Sequence, residues 1–254
     1  MRFAETAWAS YRLLFTNWRA FLLPALAWSA AIAGTELLAA ITANAPTAEA
    51  DMFLVRLAPY LLNILIAIGG WLCIAIVWHR FVILGEPASR FFPGSVDVIG
   101  PYLARMLALM LPMLAIYAIV MWRYWTESEY TAAQAIWYAG AALMGAAAAR
   151  LLLIFPASAT GDTAITMRMS WAATRGHGLH LFAGLLLCDA PLMLTLFGID
   201  VAIQDLDYQS PESIMATAAM HFIDLARSVV WTTFLSYAYL EFAHPVRSQA
   251  DAFR

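Results

Sequence analysis

Long apolar segments follow one another along most of the chain, and short polar connections separate them. A helix needs about 20 apolar residues to cross a bilayer, and six of the segments are longer than that. The pattern predicts an all-α fold, an integral membrane helical bundle that forms one polytopic domain over residues 1–254. The six predicted transmembrane helices cover residues 20–43, 53–84, 101–125, 132–155, 179–203 and 214–242.

Residues 1–18 have a different pattern from the six apolar segments. Trp8 and Tyr11 belong to a set of apolar and aromatic residues that recur at steps of three to five, while Glu5 and Arg12 fall largely on other faces. The spacing predicts an N-terminal amphipathic helix that lies in the membrane interface. A packed first helix of the bundle fits the same pattern and stays open as the alternative.

Arginine is distributed unevenly between the two sides of the predicted bundle. All 14 basic residues are arginine, and most of them lie in the N-terminus, the second and fourth connections and the tail. These arginines are Arg2, Arg12, Arg19, Arg80, Arg90, Arg105, Arg150, Arg168, Arg175, Arg247 and Arg254. By the positive-inside rule this side is cytoplasmic, so both termini should be cytoplasmic and the number of spans even. The basic side should contact anionic lipid headgroups.

The segment from Arg150 to Gly176 carries a resemblance to a known family. An apolar run leads from Arg150 to Pro156, and Gly161 and Ser170-Trp171 follow. This arrangement resembles the bacterial polytopic family typified by the membrane domain attached to some glycerophosphodiester phosphodiesterases. The resemblance implies a helical module of the bacterial inner membrane with a short amphipathic helix between two spans. The hydrolase activity of that family resides in a separate soluble barrel, so the resemblance does not imply that activity here.

The short helix within this segment is expected in the cytoplasmic interface. Asp162 or Thr163 can cap its start and Gly176 can end it, which leaves Arg168 and Arg175 directed towards lipid headgroups. Topological anchoring is the favoured role, and binding of lipid phosphate is the sharper alternative. The candidate headgroup contacts on this side are Arg80, Arg90, Arg150, Arg168 and Arg175.

Four polar residues form a candidate cluster at the middle of the membrane. Asp189 lies about ten residues into the fifth segment and Arg227 lies near the middle of the sixth, so antiparallel neighbours would place them at similar depth. Asp224 and His221 precede Arg227 at steps of three residues, on one face of the helix. A structural ion pair that locks two helices is the favoured role. An anion-binding or proton-relay site of a small transporter is the alternative.

Other ionisable residues of the apolar segments are expected to be structural or interfacial. Glu36 should pair with Arg56 or Arg123. The histidines near the cytoplasmic span ends should lie at headgroup level. These histidines are His79, His180 and His244. His177 and His180 have the i, i+3 spacing of a ligand pair, but no thiolate or carboxylate cluster joins them, and no metal or cofactor is predicted.

Composition narrows the possible functions. Hydrophobic residues make up 63% of the chain and charged residues 12%, whereas soluble domains have about 25% charged residues. No room is left for a soluble catalytic domain, and chemistry that needs a lysine amine is excluded. We therefore expect a non-enzymatic scaffold subunit that associates with lipids, with other membrane proteins or with itself, and not with nucleic acid. The small transporter is the alternative, and an enzyme acting on lipid fits least well.

Overall fold

The computed structural model describes residues 2–43, 52–93, 95–126, 145–204, 206 and 210–243, and for residues 43, 52–56, 112–114 and 116–126 it describes the backbone alone. Helices dominate these residues, which contain no strand. In chain order the helices are α1 Phe3–Thr16, α2 Trp18–Ala43, α3 Met52–Leu84, α4 Ile99–Thr126, α5 Ile154–Thr160, α6 Met167–Ala173, α7 Gly178–Ile203 and α8 Pro211–Phe242. Residues 145–149 are also helical, and a short 3-10 helix at Val96–Val98 precedes α4.

Three helices in the described part of the chain are long and apolar enough to cross a membrane. They are Trp18–Thr42 in α2, Leu57–Leu84 in α3 and Gly178–Ile203 in α7. These helices match the first, second and fifth predicted spans, so an all-helical protein with helices able to span a membrane is confirmed. The fourth predicted span lies mostly outside the described residues.

The centre of the bundle is built around α3 and α8. Helix α3 contacts α2, α4, α5 and α8, while α8 also contacts α1, α2 and α7. The largest fully buried side chains come from these helices and from α5 and its neighbours, among them Trp78, Tyr102, Leu153 and Phe234. Close packing of such side chains holds membrane helices together, because lipid is as apolar as the helix surfaces themselves.

Helix α1 packs lengthwise against the first half of α7. Phe3 stacks on His180 with 5.4 Å between ring centroids, and the Tyr11 hydroxyl donates to the Cys188 carbonyl at 2.6 Å. Eight residues separate the two contacts on each helix, so α1 and α7 run in the same direction. The buried face of α1 consists of Ala7, Ser10 and Leu14. This packing agrees with the alternative for residues 1–18, a packed first helix of the bundle, and the two small residues on the buried face allow its close approach.

Tight helical turns link residue 149 to α5, with backbone bonds such as those from the Leu151 amide to the Ala148 carbonyl and from the Ile154 amide to the Leu151 carbonyl. The helical residues 145–149 end at turns over residues 150–153, and α5 then begins. All residues of α5 except Thr160 are buried, and Gly161 ends it with a left-handed φ of 75°. The described end of the fourth predicted span, residues 145–155, belongs to an apolar helical segment that runs from Gly145 to Thr160 and includes α5.

Helix α6 begins at Met167, and its cap lies three to four residues after the two predicted cap positions. The Thr166 hydroxyl accepts a hydrogen bond from the Met169 amide at 3.3 Å and caps the helix. The predicted cap Asp162 instead accepts from the Ala164 amide at 2.9 Å and from the Tyr239 hydroxyl at 2.6 Å. Its carboxylate therefore ties the turn after α5 to α8.

Candidate functional site

The predicted mid-helix cluster contains a three-residue charge group between α7 and α8. The Arg227 guanidinium bonds Asp189 Oδ1 of α7 at 3.2 Å and Asp224 Oδ1 of its own helix at 2.6 Å. It also contacts Met193 Sδ at 3.0 Å. The side chains of Arg227, Asp189 and Asp224 are 31%, 21% and 44% exposed. One permanently charged guanidinium thus bonds two carboxylates at a partly exposed seam between two helices.

His221 lies apart from this charge group. Its Nε2 contacts Glu36 Oε2 of α2 at 2.9 Å. The predicted cluster of four is therefore divided, because His221 lies one turn before Asp224 on α8 and contacts α2 instead of α7. Glu36 had been expected to pair with Arg56 or Arg123, whose side chains lie outside the described residues.

A further polar contact joins α2 and α3 in the same half of the bundle. Asn63 Nδ2 donates to the Ile32 carbonyl at 3.1 Å and to Thr35 Oγ1 at 3.0 Å. A shallow cleft between α2 and α8 lies beside Glu36. Its lining residues are Ala33, Glu36, Leu37, Ile214 and Thr217. Sequence reasoning missed Asn63, although an amide inside an apolar run is a signal for an interhelical hydrogen bond.

The opposite end of the bundle, which we call the arginine-rich end, consists of α5, α6 and the adjoining ends of α3, α4, α7 and α8. Arg80 of α3 forms a bidentate salt bridge with Glu86. It also donates a hydrogen bond to the Ala159 carbonyl at 2.9 Å. Arg105 of α4 donates to the Ile154 carbonyl at 3.1 Å and to Ser158 Oγ at 2.7 Å. Two arginines thus hold α5 in place.

Arg80, a predicted headgroup contact, makes its hydrogen bonds inside the protein. Its side chain is only 15% exposed, and its donors are directed to Glu86 and to the backbone of α5. An arginine satisfies buried carbonyls well, because its planar fork presents several donors at once. Arg90 also contacts Glu86, at 3.4 Å, and remains more exposed.

Arg150 is likewise engaged inside the protein. Its guanidinium lies over the Trp171 ring, 3.6 Å from the centroid, and donates to the Trp171 carbonyl and to Thr174 Oγ1. The Ser170 hydroxyl donates a hydrogen bond to the Arg150 carbonyl at 2.6 Å. Of the five predicted headgroup contacts, Arg168 and Arg175 are the exposed pair on α6 and its C-terminal turn.

The Arg80–Glu86 pair makes a testable contribution to stability. The hydrogen bond from Arg80 holds the pKa of Glu86 below its ordinary value of 4.5. A carboxylate with a lowered folded pKa stabilises the fold above its unfolded pKa, and this stabilisation is lost as pH falls through the folded pKa. The wild type should therefore lose thermal stability as the pH falls below 4.5, and Glu86→Gln should lose less over the same range. Unfolding midpoints measured across this pH range for both proteins test the prediction, and parallel curves would contradict it.

His79, which was predicted to lie at headgroup level, is buried inside the bundle. Its Nδ1 contacts Ser236 Oγ at 2.8 Å, and the neighbouring Trp78 Nε1 donates to Thr233 Oγ1 at 2.7 Å. His180 is exposed, and His244 lies outside the described residues. The rings of His177 and His180 are 6.3 Å apart, and the described residues contain no group of three histidine, cysteine or acidic residues that could hold a metal ion.

Comparison with protein families, with curated proteins and with solved structures gives no match for this chain. The resemblance of residues 150–176 to the membrane domain of glycerophosphodiester phosphodiesterases stays a prediction.

Proposed function

We propose that this chain is a non-enzymatic, multi-pass protein of the bacterial inner membrane that acts as a scaffold subunit. In this proposal it associates with other membrane proteins or with itself, and its basic side contacts anionic lipids. The observation that carries the proposal is the mutual pairing of Asp189, Arg227 and Asp224. An ionisable group inside a span is costly unless it is paired, and here each carboxylate bonds the same arginine. Such pairing suits a fixed joint between two helices.

The proposed topology has six spans and two cytoplasmic termini. It is supported by the position of the described arginines, because Arg80, Arg105, Arg150, Arg168 and Arg175 all belong to the arginine-rich end. The aromatic contact between His177 and Phe242, at 5.1 Å, brings the start of α7 and the end of α8 to this same end. The resemblance of residues 150–176 supports the assignment to a bacterial inner membrane.

Reporter fusions along the chain test this topology. We expect fusions after Glu86, Gly161 and Arg254 to report the cytoplasm, because the connections there are basic. Fusions after Ala48, Glu129 and Asp207 should report the opposite side. A C-terminus on the opposite side would contradict the six-span proposal, since an even number of spans returns the chain to the side where it began.

Purification in a mild detergent tests the scaffold role. We expect the tagged full-length chain to retain a defined partner protein or to elute as a homo-oligomer, because a scaffold subunit forms stable contacts within the membrane. Identification by mass spectrometry, together with the mass of the protein–detergent complex, distinguishes these two outcomes. A monomer that retains no partner in several detergents would contradict the proposal.

A small transporter remains the second candidate function. It is favoured by the cleft beside Glu36, where a carboxylate and His221 lie next to each other and are both partly exposed. A transporter would need this pair or the Arg227 group to contact its substrate. Loss of a transport phenotype in a well-folded His221→Gln variant would support this candidate over the scaffold.

A further inference from the structure

The exposed face of α6 combines positive charge with large apolar side chains. Arg168, Trp171, Ala172 and Arg175 lie at positions i, i+3, i+4 and i+7, which form one face of a helix and its C-terminal turn. All four are exposed, and Met167 beside them is exposed as well. We call these five residues the α6 face. The opposite side is buried through Ser170 and Thr174.

Within the described residues, no ion pair joins Arg168 or Arg175 to a carboxylate. The sequence contains no acidic residue between Asp162 and Asp189. Arg168 and Arg175 thus form a positive surface that projects from the arginine-rich end. Such a surface is complementary to a layer of phosphate groups.

Trp171 is held in position on this face. The Arg150 guanidinium packs over its ring and bonds its carbonyl, yet 42% of the residue remains exposed. A tryptophan with one supported face and one exposed face suits the boundary between water and lipid, where its apolar body and polar N–H are both accommodated.

The α6 face also lies next to a predicted membrane surface. Only four residues separate the end of α6 from Gly178, which begins a helix long and apolar enough to cross a membrane. Leu179, the second residue of that helix, is 69% exposed. The exposed side chains of α6 are therefore close along the chain to an exposed apolar residue at the start of α7.

We propose that the α6 face docks onto the anionic phospholipid headgroups of the membrane that the chain spans. Arg168 and Arg175 bind headgroup phosphates, and Trp171 lies at the level of the headgroup–acyl boundary. This inference rests on the proposed placement of the chain in a membrane, and it assigns to α6 the lipid contact that the proposed function leaves general. The occupant is a lipid surface, since the face combines separated cations with exposed apolar side chains.

A fluorophore on the α6 face tests the inference with the full-length protein. Ala172→Cys introduces an exposed thiol, whereas Cys73 and Cys188 are buried, so an environment-sensitive maleimide should label position 172. The labelled protein is placed in nanodiscs of phosphatidylcholine with increasing fractions of phosphatidylglycerol. We expect the emission to shift to shorter wavelength as the anionic fraction rises, and added salt should reverse the shift.

Single substitutions measure the part played by each arginine. We define the midpoint as the phosphatidylglycerol fraction at which the emission shift is half complete. Arg168→Gln and Arg175→Gln should each raise this midpoint about fivefold, which corresponds to about 1 kcal/mol per basic residue near an anionic surface. Arg90→Gln is the matched control, because it removes an exposed positive charge from the same end outside the α6 face. Because Arg90 is itself a candidate headgroup contact, its midpoint should rise less than those of Arg168→Gln and Arg175→Gln. Arg2→Gln, which removes an exposed arginine paired with Glu5 and outside the five candidate contacts, should leave the midpoint unchanged.

Three results would overturn the inference. An emission that is the same in both lipids would show that the face does not dock, and an equal change in all four arginine variants would show a general charge effect. Inorganic phosphate that reproduces the shift in phosphatidylcholine discs would identify a phosphate site instead of a lipid surface. Failure of the chain to elute with the discs would contradict the proposed membrane placement itself. A chain that inserts into the discs but shows no emission shift with anionic lipid would contradict this inference alone.

Discussion

Gly184→Ala should markedly destabilise the bundle, although it adds a single methyl group. A Cβ atom at Gly184 of α7 would lie 2.3 Å from Phe234 Cζ and 2.6 Å from Phe234 Cε2. Phe234 is fully buried in α8 and has little space into which to move. Overpacking of this kind costs about 1 to 3 kcal/mol or more. The thermal unfolding midpoint in detergent should therefore fall well below that of wild type.

The same helix provides a matched control for this prediction. Gly198 is also in α7, but no atom lies within 4 Å of the Cβ position there. Gly198→Ala should be neutral or slightly stabilising, because alanine is the better helix former. Combining Gly184→Ala with Phe234→Leu should restore part of the lost stability, since the smaller side chain clears the contact. Equal midpoints for the two single alanine variants would contradict the close packing of α7 on α8.

Arg227→Ala should also have a large effect on stability. It leaves Asp189 and Asp224 next to each other at the seam of α7 and α8 without their shared cation. Removing one partner of a buried charge group typically costs about 3 to 5 kcal/mol, and the partial exposure of these side chains favours the lower end of that range. Expression level and thermal midpoint measure the loss.

Arg2→Ala is the control for the loss of an arginine charge. The Arg2 side chain is 83% exposed and pairs with Glu5 of α1, and such exposed pairs contribute about 0 to 1 kcal/mol. A thermal midpoint for Arg227→Ala as high as that of Arg2→Ala would show that the charge group does not contribute to the fold.

The sequence contained enough information for some features of this structure. Long apolar runs are sufficient to predict α2, α3 and α7, because only a helix satisfies its backbone within an apolar layer. The contact between Asp189 and Arg227 follows from their distances to the helix ends, since α7 and α8 are antiparallel neighbours joined by a short connection. Both features depend on counting residues along a helix.

Other features depend on tertiary contacts that residue spacing does not encode. The buried helix α5 is fixed by Arg80 and Arg105, whose acceptors are backbone carbonyls. Carbonyls are present at every position, so the sequence cannot single out the ones that accept. The contact between Glu36 and His221 also depends on tertiary packing, because α2 must lie beside α8 for it to form. The burial of His79 likewise requires α8 to cover it.

The most direct test of the scaffold proposal removes the whole charge group. The contact of Arg227 with Asp224 means that leucine at positions 189 and 227 alone would leave one carboxylate without its cation. The triple variant Asp189→Leu, Asp224→Leu, Arg227→Leu removes all three charges, and apolar replacement of a complete ion group is often tolerated. We predict near-wild-type accumulation, thermal midpoint and retained partners or oligomeric state. A well-folded triple variant that loses its partners, or loses a transport phenotype of the wild type, would contradict the account and make these residues a functional site.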